Sequence, residues 1–281
     1  MTMMRKIKRP FAVVLPGGGF RGAYQAGVVS ELGRLGIEID IVATASVGTC
    51  NGAALVLDMW EMLPDLWERA VDMKIFQPSL LLKGKNPFAI SGVLEKFAHE
   101  YGRPGQFDQV ATDFLVSVTN ATNMTNEVID FKSTEWDFQE LQRLYLASSC
   151  IPYICDRIEI RGHWYIDGGF TNNCPINYAL ERGAKEIWVV NMGKHAALEK
   201  TFFGLVKHSL KVLPKRKFRP LQLLDYMVTE QQLITPNGIT IQHIAPSTPL
   251  ELGHLRLTRD RVKSAIALGK QDIAKLLSGI S

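Results

Sequence analysis

Apolar positions along this chain fall into two rhythms. Phe11–Leu15 is an unbroken apolar run and reads as a buried strand. After a glycine-rich turn, Val28, Leu32 and Leu35 recur at helical spacing and predict a helix over about residues 22–35. Residues 39–45 predict a second strand, and a helix runs on from Val47. Residues 113–119 and 127–131 are further strands, and residues 137–149 have a helical pattern. Residues 158–160 and 164–166 form short strands around an Arg161-Gly162 turn. Residues 175–182 begin with proline and are followed by Gly183, the usual asymmetry of a short helix. Residues 186–191 and 239–244 are strand-like. Thr258 can cap a final helix whose apolar side carries Val262, Ile266, Gly269, Ile273 and Leu276. Alternating strands and helices predict an α/β layered domain. No internal repeat or low-complexity tract breaks the pattern.

Charge changes this picture in one place. The net charge is +4, yet residues 200–219 alone hold seven Lys/Arg and no Asp/Glu, so the rest of the chain is slightly acidic. A basic excess confined to one segment argues against a nucleic-acid binder. That segment falls within residues 195–237, which read as a helical basic insertion into a single domain whose core is 11–193 and 238–277. No apolar run approaches the ~18 residues of a membrane span. The basic start leads only into Phe11–Leu15, too short for a secretory leader. The expected location is the cytoplasm or a membrane surface, with export by another route left open. Cys50, Cys150, Cys155 and Cys174 lack metal-ligand spacing and read as free thiols.

Three segments carry candidate chemistry. Gly17-Gly18-Gly19-Phe20-Arg21-Gly22 follows a strand and opens a helix. Successive glycines let several N–H groups converge on one anion, a phosphate or the oxyanion of a tetrahedral intermediate. The same residues satisfy the dinucleotide fingerprint G-x-G-x-x-G, with Asp40 near the offset for a ribose contact, and a plain tight turn would also account for them. Thr44-Ala45-Ser46-Val47-Gly48 again joins strand to helix, the setting of a nucleophile elbow. Thr44 stands where the elbow consensus has glycine, and Ser46 could be a simple helix cap. Asp167-Gly168-Gly169, ahead of Asn172-Asn173 and Pro175, places a carboxylate on a freely turning loop. It could face a cleft or bond its own backbone. Nucleophile, base and oxyanion donors thus have one candidate each.

With these residues identified, the chain resembles the patatin-like phospholipase family. The resemblance covers the three motifs in order, the small-residue segment Ala147-Ser148-Ser149-Cys150-Ile151-Pro152, and the closing Ile244-Ala245-Pro246 with its helix. It implies a three-layer patatin-like α/β fold, a central mostly parallel sheet flanked by helices. It implies a lipid acyl hydrolase acting on carboxylic esters with Ser46 as nucleophile and Asp167 as its partner. Gly17, Gly18, Gly19 and Arg21 become the oxyanion loop, Gly48, Gly168 and Gly169 support the motifs, and no metal or other cofactor takes part.

Rival readings stand beside it. An α/β-hydrolase triad could use Ser46, Asp167 and His243 or His254. A dinucleotide-binding protein could use Gly17–Gly22, and a non-catalytic membrane binder could share a hydrolase fold. Trp60 and Trp67 read as core, the cysteines near the motifs as small buried side chains, and His99, His163, His195 and His208 as surface or locally bonded. Between 200 and 219, Phe202, Val206, Leu210 and Leu213 form an apolar stripe beside Lys207, Lys211, Lys215, Arg216, Lys217 and Arg219. That is either a solvated basic loop after a packed helix or a contact with anionic lipid.

Overall fold

A computed structural model describes residues 6–72, 100–150, 157–193, 238–252 and 258–279. The expected insertion over 195–237, His99, His195, His208, His254 and Cys155 lie outside them. Strands β1 (Phe11–Leu15), β2 (Ile41–Ala45), β3 (Asp113–Asn120), β4 (Thr125–Asp130), β5 (Ile158–Ile160), β6 (His163–Asp167), β7 (Glu186–Val190) and β8 (Thr240–Ile244) form one sheet. Its path is β5-β6-β3-β2-β1-β7-β8, with β4 also paired to β3. The strands from β3 through β8 are joined in parallel, and β4, β6 and β5 add antiparallel pairings.

Alternation along the strands fills both faces. Phe11, Val13, Leu15, Val42, Phe114, Val116 and Trp188 belong to the larger apolar cluster. That face is covered by α1 (Gly22–Arg34), α2 (Val47–Val56), α3 (Leu63–Asp72), α4 (Phe138–Ser148) and α6 (Arg259–Gly279). Ala12, Val14, Ile41, Ala43, Leu115, Ile187 and Val189 point the other way, against α5 (Ile176–Glu181). Helix layers on two faces of a mixed, mostly parallel sheet give the three-layer α/β architecture.

Helix α1 is buried from Gly22 to Leu32 because α6 crosses it at backbone contact. A Cβ on Gly27 would lie 2.1 Å from the Ile266 carbonyl oxygen, and one on Gly269 2.1 Å from that of Tyr24. Helix α4 starts at a capping box. The Asp137 side chain accepts from the Glu140 N–H, and Glu140 accepts from that of Asp137.

Strand β3 aligns two of the motif segments. Its residues 113–117 pair with β2 and its residues 118–120 with β6, while β4 runs along 115–120. A strand has two edges, so β2 and β6 lie end to end on the same one. Ala45 sits opposite Ser117, and Asp167 opposite the next residue, Val118.

Candidate active site

The chain leaves β2 at Ser46 and turns at once into α2. Ser46 takes φ 53° and ψ −131°, outside the regions open to most L-residues. Such a conformation costs about 1–3 kcal/mol and persists only where its surroundings enforce it. Gly48 makes the sharp turn possible, since a Cβ there would lie 1.9 Å from the Leu15 carbonyl oxygen. Thr44, buried and still extended, is accommodated by its neighbours. Its hydroxyl donates to the Leu115 carbonyl at 3.3 Å, and its methyl fills the space above Gly52, whose added Cβ would come within 2.6 Å of it.

Ser46 occupies the cap position of α2, but its hydroxyl makes no capping bond. It donates instead to Asp167 Oδ2 at 2.7 Å. Asp167 Oδ1 accepts the Gly169 N–H at 2.7 Å, its N–H donates to the Cys150 carbonyl, and its own carbonyl accepts from Thr119 Oγ1 at 2.8 Å. The carboxyl is buried, with 4% of Asp167 exposed. Desolvation pushes its pKa up from 3.8 to about 7, against the opposing pull of the Ser46 hydroxyl and the Gly169 N–H. Gly168 lets this loop press on β3, where a Cβ would fall 2.0 Å from the Ser117 carbonyl oxygen.

The glycine loop lies beside the pair. A Cβ on Gly17 would be 2.8 Å from that of Ser46. Gly17 is bound to Asn173 twice, its N–H donating to the Asn173 carbonyl at 3.2 Å and its carbonyl accepting Asn173 Nδ2 at 3.3 Å. The Arg21 N–H returns to the Gly18 carbonyl. Among the described residues, the Gly18 and Gly19 N–H groups have no protein acceptor, and a Cβ on Gly19 would meet nothing within 4 Å. The Arg21 guanidinium braces the loop. It donates to the carbonyls of Gly18, Met192 and Gly193 at 3.3, 3.4 and 2.5 Å, tying the loop to the end of β7. The Met192 side chain packs on Gly18 and lines a groove of about 290 Å³ with Pro246, Ser247, Thr248, Pro249 and Leu250.

Other candidates go elsewhere. Asp40 accepts from Arg9 Nε at 3.0 Å and from the Phe11 N–H at 2.6 Å, so it anchors the start of β1. His243 is on β8, three strands from β2, where its Nδ1 pairs with Asn191 Nδ2 at 2.8 Å. His163 pairs with Asn120 at 3.4 Å. Asp167 meets Ser46 directly, with no imidazole between them. Cys50 lies one turn beyond Ser46, with its sulfur 3.8 Å from Ser149 Oγ, and burial pushes its thiol pKa up. Among the described residues, no group of three His, Cys, Asp or Glu side chains is placed to hold a metal ion, and no helix is long and apolar enough to cross a membrane.

Ser148, Ser149, Thr119 and Asn173 hold the motif backbones in place, a role that sequence reasoning does not assign to them. Their signal is faint: small polar residues flanking the motifs, ordinary in composition.

Residues 13–180 match the family description "Patatin-like phospholipase". A lysophospholipase nte1 of Aspergillus terreus is 26% identical over 198 residues, covering 66% of this chain. The chain spans only 12% of that relative's length. The fold is shared with VipD from Legionella pneumophila, at a TM-score of 0.51 and 13% identity over 98% of this chain and 68% of that one. It is also shared with human GIVD cytosolic phospholipase A2, solved with methyl gamma-linolenyl fluorophosphonate, at a TM-score of 0.52 and 12% identity over 99% and 60%. With a serine elbow and an Asp-Gly-Gly loop meeting on one strand edge, a glycine turn beside them, and a match over most of its length, the chain belongs to the patatin-like phospholipase family.

Proposed function

We propose that this chain is a lipid acyl hydrolase working through a Ser46–Asp167 dyad. The observation that carries the reading is the 2.7 Å bond from the Ser46 hydroxyl to a buried carboxylate whose pKa is raised to about 7. A base poised near neutrality can take up the serine proton and also give it back. As Ser46 Oγ attacks the ester carbonyl carbon, its proton passes to Asp167 Oδ2. Negative charge gathers on the former carbonyl oxygen, where the free N–H groups of Gly18 and Gly19 serve as donors. The intermediate collapses to acyl-Ser46 as Asp167 protonates the departing alcohol. Water, deprotonated by Asp167, then attacks the acyl carbonyl; the fatty acid leaves and Ser46 recovers its proton.

The family implies a lipid substrate. The curated relative is a lysophospholipase by name, which makes a lysophospholipid the first substrate to test. Access to lipid is assigned to Lys207, Lys211, Lys215, Arg216, Lys217 and Arg219, a basic cluster beside an apolar stripe that lies outside the described residues.

The test is turnover of a lysophospholipid and of a chromogenic ester by wild type, Ser46→Ala and His243→Ala, with mass mapping of a fluorophosphonate adduct. Ser46→Ala should lose at least roughly a thousand-fold, and the adduct should map to Ser46. His243→Ala should stay within about ten-fold, roughly 1.4 kcal/mol in the barrier. Activity surviving in Ser46→Ala, or an adduct on another residue, would place the nucleophile elsewhere.

A further inference from the structure

The left-handed backbone of Ser46 is held by two consecutive side chains at the end of α4. The Ser46 N–H donates to Ser148 Oγ at 3.3 Å, and Ser149 Oγ donates to the Ser46 carbonyl at 2.9 Å. We propose that Ser148 and Ser149 are positioning residues that clamp both polar groups of the nucleophile's backbone and so keep its hydroxyl aimed at Asp167. This rests on the Ser46–Asp167 reading and extends it to residues that touch neither substrate nor base.

Proton bookkeeping shows why Ser148 is hard to replace. Its hydroxyl hydrogen goes to the Ser117 carbonyl at 2.8 Å. Its two lone pairs then face the Ser46 N–H and the Thr49 hydroxyl, the latter at 2.9 Å. With the Ser148 hydrogen committed to Ser117, Thr49 is the donor toward Ser148, and its own oxygen lies 3.1 Å from that of Thr44. Ser148 is wholly buried, and its donor and both acceptor positions are taken. Removing its oxygen would leave the Ser46 N–H buried without an acceptor, free to rotate with its peptide. The Ser46 carbonyl has a second donor, the Thr49 N–H at 2.8 Å, so losing Ser149 Oγ should matter less.

The two hydroxyls are adjacent in sequence, so the last turn of α4 sets their spacing. That helix is pinned at its far end by its capping box and by the two bonds from the Arg161 guanidinium to Glu140. The Ser46 elbow is thus braced from an element that begins well away from it.

The experiment measures kcat, KM and pH profile of Ser148→Ala and Ser149→Ala on a soluble short-chain ester, with Ser46→Ala alongside and heat unfolding of each. A misplaced nucleophile loses rate without losing binding. Ser148→Ala should lose about ten- to a hundred-fold in kcat with KM within about two-fold, and Ser149→Ala should lose less. A looser Ser46 hydroxyl also stops steadying the ionised Asp167, so the acid limb of the profile should move to higher pH in Ser148→Ala. Unchanged kcat in Ser148→Ala, or a rise in KM alone, overturns the clamp. Should Ser148→Ala not fold, the melting-temperature cost of Ser149→Ala is compared in the wild-type and Ser46→Gly backgrounds. Glycine takes the left-handed turn without strain, so the cost should shrink there; equal costs overturn the proposal. Ser46→Ala as active as wild type would instead sink the dyad and leave the clamp purely structural.

Discussion

At the scale of the residue, Asp167 serves two partners at once. A carboxylate that bonds its own loop can still reach a second motif, because its two oxygens act separately. Oδ1 takes the Gly169 N–H and Oδ2 the Ser46 hydroxyl. Burial then links activity to pH. On the dyad reading the base is effective when ionised, so kcat/KM should fall as pH drops through about 7; a profile flat from pH 5 to 8 would assign the proton transfer to another group. Stability runs the opposite way. The folded carboxyl holds its proton up to about 7 and the unfolded one only to about 3.8. The folded state is therefore favoured at low pH and penalised as pH rises through 7, by no more than about 4 kcal/mol from a shift of roughly three units. Asp167→Asn should be nearly inactive yet more stable than wild type at pH 8 by about 1–4 kcal/mol, with the gain vanishing near pH 4. Urea melts at both pH values would show it, and an equal difference at the two would contradict the burial argument. The three motifs are legible in the sequence because the chemistry needs unusual residue types in unusual places. The role of Ser148 is not, because a buried serine that accepts one particular N–H is indistinguishable in sequence from any other small residue.

At the scale of the element, strands with dense apolar runs are the most legible. Phe11–Leu15 forms as expected. The second strand begins at Ile41 rather than 39, because the Asp40 N–H and carboxylate are engaged with Phe11 and Arg9, and the Ile39 carbonyl with Thr112. Helix α3 goes beyond the elements expected from the pattern. Trp67, which reads as core, lies on it, and its Nε1 donates to Asn51 on α2 at 3.0 Å. The docking of β6 onto β3 is illegible altogether. A five-residue strand carries no mark of its partner, and that choice is made by packing across the whole sheet. Helix pairs are just as context-bound. Gly27 would count as a weak point of α1 on helix propensity alone, but it is one of the two glycines at which α1 and α6 meet backbone to backbone. Gly27→Ala drives a methyl into the Ile266 carbonyl, and overpacking of this kind costs about 1–3 kcal/mol. Denaturant titration should find that loss with the activity of the remaining folded enzyme intact. A cost under about 0.5 kcal/mol would mean the helices slide apart freely.

At the scale of the molecule, the chain's excess positive charge belongs to one segment, and that should govern how it meets lipid. Vesicles containing anionic lipid should bind the wild type more tightly than neutral ones, and salt should weaken the binding over a Debye length of about 8 Å. Changing Lys215, Arg216, Lys217 and Arg219 to glutamate should reverse that preference. Unaltered sedimentation of the variant with anionic liposomes would remove the segment from membrane recognition. The strand edge shared by β2 and β6 has a consequence in time as well as in space. Ser46 and Asp167 are separated by 121 positions in the chain and meet only because both are laid against β3. During synthesis the serine leaves the ribosome first, then the strand that will align it, and the aspartate last. On the dyad reading, a growing chain would therefore carry an elbow without a base, and attack on the lipids around it would have to wait until its aspartate has emerged and β6 has found its place.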